Sequence, residues 1–274
     1  MPVTIEAGRR SVHVSVEVPG TPQEVWRAIA SGPGISSWFV PTAFEEVDGT
    51  PVAVQFNFGP GMAPRSAITA WQPPHAFTVQ GDGWGGSPPI ASQWRVEAGA
   101  DGHCTVHVIN SMLTEVADWD AQLDATAQGW PAFFRTLQLY LRHFRGQPAS
   151  LLQLVVPVAG SAAQAWQALC TALGLHDITV GQPWQARAGV PTLGGVVEYL
   201  SEDPYDALLR LAQPGPGVAA FGAFNYGGQS MVAINVYHYG AQAQAALERE
   251  RPRWQAWLAT TFAAPPATPA SAAG

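Results

Sequence analysis

Apolar and polar residues alternate through Val12, Val14, Val16 and Val18, with His13, Ser15 and Glu17 between them. That two-residue period predicts a strand with one buried face. After Pro19-Gly20 the period lengthens. Thr21-Pro22-Gln23-Glu24 leads into Val25, Trp26, Ala28 and Ile29, which reads as a helix capped by Thr21 with proline at its first position. Further strands are predicted near 42–47, 52–58, 65–72, 76–81, 91–98 and 103–112, separated by Gly- and Pro-marked turns. A long helix is predicted near 117–145, where Phe133, Phe134, Leu137, Tyr140, Leu141 and Phe144 recur at helical spacing.

The pattern then begins again. Val156-Pro157-Val158, Ser161 and Trp166 repeat the layout of Val16-Glu17-Val18, Thr21 and Trp26, 140 residues later (21 to 161, 26 to 166). A strand, a proline-marked turn and a strand occur around Trp71-Gln72-Pro73-Pro74 and again around Ser201-Glu202-Asp203-Pro204. A second terminal helix carries Leu247, Trp254, Trp257, Leu258 and Phe262. Between its first helix, near 161–173, and the strand at Gly195–Leu200, the second half has room for one strand near 179–187, so a hairpin is reduced. Strands gathered between two helices predict an α+β class with antiparallel sheets. The turn Gly146-Gln147-Pro148-Ala149 divides the chain into domains at 1–147 and 148–262. The Pro-rich stretch 263–274 is expected to be a disordered tail.

Composition narrows the chemistry. All 13 basic residues are arginine, so Schiff-base and P-loop lysine chemistry are excluded. A net charge of −7 without a basic run argues against nucleic acid and anionic membrane partners. The start of the chain lacks the pattern of a signal peptide and no apolar run is long enough to span a bilayer, so a cytoplasmic location is expected. Cys104 and Cys170 are too few for a disulfide framework and read as small buried hydrophobes.

The run from Val14 to Phe39, with Glu24-Val25-Trp26 and Ile35-Ser36-Ser37-Trp38-Phe39, resembles the opening of the START/SRPBCC superfamily. With Trp71-Gln72-Pro73-Pro74, Thr105-Val106-His107-Val108 and Gly129-Trp130 it is similar to bacterial proteins related to the C-terminal domain of the 90-kDa heat-shock-protein ATPase activator. The resemblance covers most of 12–145; the second half shares it through the repeat, without the Trp-Phe pair. It implies two tandem helix-grip domains, each a curved antiparallel sheet wrapped around its C-terminal helix. Relatives bind hydrophobic small molecules, cyclise polyketides or act as protein-interaction modules.

No constellation of catalytic residues stands out. His103 and His107 share a strand face without a third metal ligand, so no metal and no cofactor are expected. Asp118, Asp120, Asp124 and Glu115 crowd a helix start, where the macrodipole stabilises them. The Gly-rich stretch 81–89 reads as a loop at a cavity mouth. The interior face offers Trp38, Phe56, Phe58, Trp94, Trp130, Phe133 and Phe134, with Arg65, Arg95, His107 and Asn110 as polar groups that could orient a ligand. In the second domain Tyr199, Asn225, Asn235 and Tyr237 form a more polar set. These residues point to non-catalytic binding of a hydrophobic or aromatic small molecule, with an interaction module for a chaperone or other protein and an aromatase/cyclase-like enzyme as alternatives.

Overall fold

The computed structural model describes residues 3–6, 9–59, 62–82, 88–112, 114, 117–226 and 228–262. The chain divides into two compact units, Met1–Ala149 and Ser150–Gly274. Glu115, residues 83–87 of the Gly-rich loop and the stretch 263–274 lie outside the described residues.

The first unit runs β1 (Thr4–Glu6), β2 (Arg9–Pro19), α1 (Pro22–Ile29), α2 (Gly32–Ser36), β3 (Thr42–Val47), β4 (Thr50–Phe56), β5 (Arg65–Gln72), β6 (Ala76–Gly81), β7 (Ile90–Ala98), β8 (His103–Met112) and α3 (Asp120–Leu139). Its strands form one antiparallel sheet in the order β1-β2-β8-β7-β6-β5-β4-β3. Thr21 and Glu24 make a reciprocal capping box at the start of α1. The short helix α2 and strand β1 are additions to the sequence-based outline. Gly34 lets α2 pack on the end of α1, because a Cβ there would stand 2.1 Å from the Arg27 carbonyl oxygen. Along β8, Cys104, Val106, Val108, Asn110 and Met112 are buried and the residues between them are not, as the pleat dictates.

Helix α3 lies along β2. At its start Asp120 forms an ion pair with Arg10, and near its end Gln138 Nε2 donates to the Glu17 carbonyl at 2.8 Å. The helix contains Pro131 and continues into a π turn over Tyr140–Phe144.

The second unit runs β9 (Ala149–Val158), α4 (Ala162–Leu173), β10 (Pro183–Gln185), β11 (Gly194–Glu202), β12 (Tyr205–Gln213), β13 (Gly217–Tyr226), β14 (Gln229–Tyr239) and α5 (Ala243–Thr261). Strands β10 to β14 pair antiparallel in chain order and β9 lies beside β14. Ser161 and Gln164 repeat the capping box at α4. Traced from its first long strand, each sheet follows one plan: β2-β8-β7-β6-β5-β4-β3 and β9-β14-β13-β12-β11-β10. Strand β3 has no counterpart in the second sheet. The strand expected over 179–187 shrinks to three residues, because Gly181 takes φ +89° in a turn that donates back to Val197. The second core packs Trp166, Leu169, Phe221, Ile234, Trp254 and Leu258 between sheet and helices. Among the described residues, no helix is long and apolar enough to cross a membrane.

Candidate functional site

The inner face of the first sheet meets α3 through a continuous set of aromatic rings. Trp94 of β7 stacks on Phe77 of β6 at 5.6 Å and meets Trp130 of α3 edge-on at 5.1 Å. Trp38, in the turn after α2, reaches Trp94 at 6.2 Å and is fixed by its Nε1 donating to the Ala28 carbonyl at 2.9 Å. That carbonyl is one of those a helix leaves unpaired at its end. Phe39 joins the remaining rings. It contacts Phe56 at 6.0 Å, Phe58 at 5.7 Å, Trp130 at 5.3 Å and Phe133 at 4.5 Å. Phe134 meets Trp130 at 5.3 Å. All seven aromatic residues expected on the interior face therefore belong to one network. Phe39, which holds them together, was not among the candidates, because sequence periodicity does not orient side chains in the turn after α2.

Three polar atoms are buried in this region without a hydrogen-bond partner: Asn110 Nδ2, Trp94 Nε1 and Asp124 Oδ1. Asn110 is 3% exposed, and its Oδ1 accepts from Ser92 Oγ at 2.6 Å across the β7–β8 pair. Asp124 lies one turn along α3 from Asp120, a rise of about 6 Å. Val12, which pairs with Asn110, lies two residues along β2 from Arg10, also about 6 to 7 Å. Because the Arg10–Asp120 pair anchors the helix to that strand, Asp124 and Asn110 lie at about the same level along β2. A buried donor or acceptor left unpaired costs about 1–3 kcal/mol. These atoms are therefore groups that a bound molecule could satisfy.

Three candidates lie elsewhere. Arg95 neighbours Trp94 on β7 and His107 sits between Val106 and Val108 on β8, so alternation sends both to the outer face. Arg65 is exposed and forks onto Glu45 at 2.7–2.9 Å, holding that carboxyl below its usual range. His107 joins His13 at 3.0 Å and Glu97 at 3.2 Å, not His103, whose Nδ1 lies 3.2 Å from the Asp101 carbonyl oxygen. Burial, helped by His107 and Arg95, pushes the His13 imidazole down.

The nucleophile and metal readings gain nothing. Burial pushes the Cys104 thiol up and the Cys170 thiol up to about 12, so neither is a ready thiolate. Among the described residues no group of three His, Cys, Asp or Glu side chains could hold a metal ion. Of the acidic cluster, Asp118 is exposed and Asp120 is held low by its hydrogen bond to Arg10.

The polar set of the second domain does not converge. Asn235 and Tyr237 alternate with the core residues Ile234 and Val236 and so point to the opposite face. A register shift between Val197 and Tyr199 brings Leu200, rather than Tyr199, against the core. Asn225 is exposed and accepts from Ser230 Oγ at 3.1 Å. Two surface clefts, of about 300 Å³ beside α2 and about 460 Å³ beside α5, contain none of the candidate residues in their walls.

No curated protein sequence matches the chain. Among solved structures, the di-domain ARO/CYC BexL from the BE-7585A biosynthetic pathway is similar at 12% identity, with 94% of this chain and 100% of that one covered and a TM-score of 0.45. DynU16, from the dynemicin biosynthetic locus, matches at 16% identity over 92% of this chain and 95% of its own, with a TM-score of 0.41. The Aha1 dimer from Colwellia psychrerythraea matches at 17% identity over 50% of this chain and 98% of its own, with a TM-score of 0.38. In sequence, residues 9–140, most of the first domain, match the family model described as polyketide cyclase / dehydrase and lipid transport.

Proposed function

We propose that the first domain binds a planar, oxygenated aromatic molecule between its sheet and α3. Trp94, Trp130 and Phe133 would surround the rings. Asn110 Nδ2 and Trp94 Nε1 would donate to carbonyl oxygens, and Asp124 Oδ1 would accept from a hydroxyl. The observation that carries this reading is that Trp94, inside the aromatic network, has an unpaired Nε1, with Asn110 Nδ2 unpaired on the same sheet and Asp124 Oδ1 unpaired on α3. A site with aromatic walls and a few placed polar groups is the usual composition of a small-molecule pocket. The matched family model, described as polyketide cyclase / dehydrase and lipid transport, is compatible with a ligand of this class.

Tryptophan fluorescence titrated with 1,8-dihydroxyanthraquinone tests it. Saturable quenching and a rise in melting temperature are expected for the intact chain, and both should weaken in Trp130→Ala. Quenching that is linear in ligand, with an unchanged melting temperature, overturns the reading.

A second reading is favoured by one group, the unpaired carboxylate oxygen of Asp124, at about the same level along β2 as the Asn110 donor. A carboxylate there could take a proton from the carbon between two carbonyls while the Asn110 and Trp94 donors hold the enolate oxygen, and that carbon could then attack a second carbonyl. Incubation with a linear poly-β-ketone thioester should give one cyclised product, lost in Asp124→Asn while 1,8-dihydroxyanthraquinone binds more weakly but still saturates. A product mixture identical to that formed in buffer removes this reading.

A further inference from the structure

The second domain has unpaired polar atoms of its own. His238, two residues beyond Val236 on the core-facing side of β14, is 2% exposed, and its Nε2 has no partner. Glu250 of α5 is also 2% exposed. Its Oε1 accepts from Arg249 Nε at 2.9 Å and Arg253 Nη1 at 3.4 Å, while its Oε2 accepts nothing. Glu250 belongs to the buried stripe of α5 that continues through Trp254 and Trp257, and Trp254 packs against Phe221 at 6.1 Å. Both groups thus face the space between sheet and helix. They are close enough that the charge of Glu250 acts on the imidazole, opposing the burial that pushes its pKa down.

The placement echoes the first domain. There the last strand offers Asn110 and the last helix Asp124; here the last strand offers His238 and the last helix Glu250. The chemistry differs, however. With its proton on Nε2 a buried neutral imidazole presents an N–H there, and a carboxylate oxygen only accepts, so the pair is then complementary to a group that accepts once and donates once. A hydroxyl does both. A ligand carboxylate would be repelled by Glu250, and a carbonyl would leave Oε2 unpaired.

We infer that the second domain has a separate binding site between β14 and α5, in which His238 Nε2 and Glu250 Oε2 together hold the hydroxyl of an uncharged hydrophobic alcohol or phenol. Val236, next to His238 on the core-facing side of β14, and Trp254, one turn along α5 from Glu250, give that end of the interior an apolar wall suited to the rest of such a molecule.

The full-length chain labelled with 15N-histidine tests this with two probes, 1-naphthol and 1-methoxynaphthalene. The His238 ring signals, assigned by their absence in His238→Gln, are expected to shift and saturate with 1-naphthol and to stay in place with the methyl ether, which cannot donate. Glu250→Gln should weaken the 1-naphthol response at His238 by roughly tenfold, the exchange of a charged acceptor for a neutral one. The wild-type comparison of the two probes stands without the variants if they fold poorly. His238 signals unmoved at saturating 1-naphthol, or moved equally by both probes, overturn the inference. So does a soaked crystal with only an ordered water between the two side chains. Labelling asparagine with 15N as well lets the Asn110 side-chain amide report on the first domain in the same sample. A shift there without one at His238 refutes the second site and leaves the proposed function standing.

Discussion

Ser92 Oγ donates to Asn110 Oδ1 at 2.6 Å across the β7–β8 pair, and this bond fixes the amide with its Nδ2 unpaired in the interior. Replacing both partners by apolar groups removes a buried donor that costs stability, so the exchange should be close to neutral for folding. The double variant Ser92→Ala/Asn110→Leu is expected to melt within a few degrees of wild type. Its affinity for 1,8-dihydroxyanthraquinone should fall by roughly tenfold. Thermal melts and fluorescence titration of the same sample check both halves. A large loss of stability with full binding would show that Asn110 is a packing residue and not a ligand contact.

Helix α3 is secured at its start by Arg10 and Asp120, with Arg10 only 8% exposed. Removing one partner leaves a poorly hydrated charge. Arg10→Met or Asp120→Asn should therefore lower the midpoint of urea unfolding, while the double variant Arg10→Met/Asp120→Leu should recover part of that loss. Equal costs for the single and double variants would contradict this account.

Gly34 admits no side chain without movement, since its Cβ would stand 2.1 Å from the Arg27 carbonyl oxygen and 2.9 Å from that of Ala28. The Ala28 carbonyl also receives the Trp38 indole. Gly34→Ala should thus push α2 outward and disturb the Trp38 bond. A destabilisation of about 1–3 kcal/mol is expected, accompanied by a change in near-ultraviolet circular dichroism from the ring network.

The two capping boxes differ in their response to acid. In the first, Glu24 receives the Thr21 backbone N–H at 2.8 Å and lies 3.0 Å from Arg145, which together lower its pKa to about 2. A carboxyl with a depressed folded-state pKa contributes stability that is present above its unfolded pKa, near 4.5, and is lost as pH falls toward 2. The second box uses Gln164, which does not titrate. Glu24→Gln should flatten the acid limb of the stability curve between about pH 4.5 and 2 without changing the shape of the curve near neutrality. An acid limb identical to wild type would assign the loss to other carboxylates.

Much of the fold was legible because both periods are strong. The alternation in β2 and β8 and the Thr21 and Ser161 caps placed strands and helices within a few residues of their observed bounds. The aromatic half of the candidate site followed from the same alternation. Of its polar half, Asn110 followed too, but the other candidates did not. Arg95 and His107 sit beside Trp94 and Val106 in sequence, and a strand cannot turn both neighbours inward. Arg10 is the converse case. It enters the interior edge because Asp120, 110 residues away in sequence, is there to receive it. Phe39 carries no periodic signal, since its position depends on a turn; His238 and Glu250 keep step with the apolar residues of β14 and α5, but which strand and helix come to face each other is not written in either period.

Phe39 has a kinetic consequence. Its ring touches β4 through Phe56 and α3 through Trp130 and Phe133, so a molecule passing between sheet and helix on that side must first move it. Such a residue acts on the entry and exit of a ligand in equal measure. Shortening it to alanine would speed association and dissociation together and leave their ratio little changed. If the proposed site is occupied, the segment after α2 would govern how long the molecule stays, and the unpaired atoms behind it how tightly it is held.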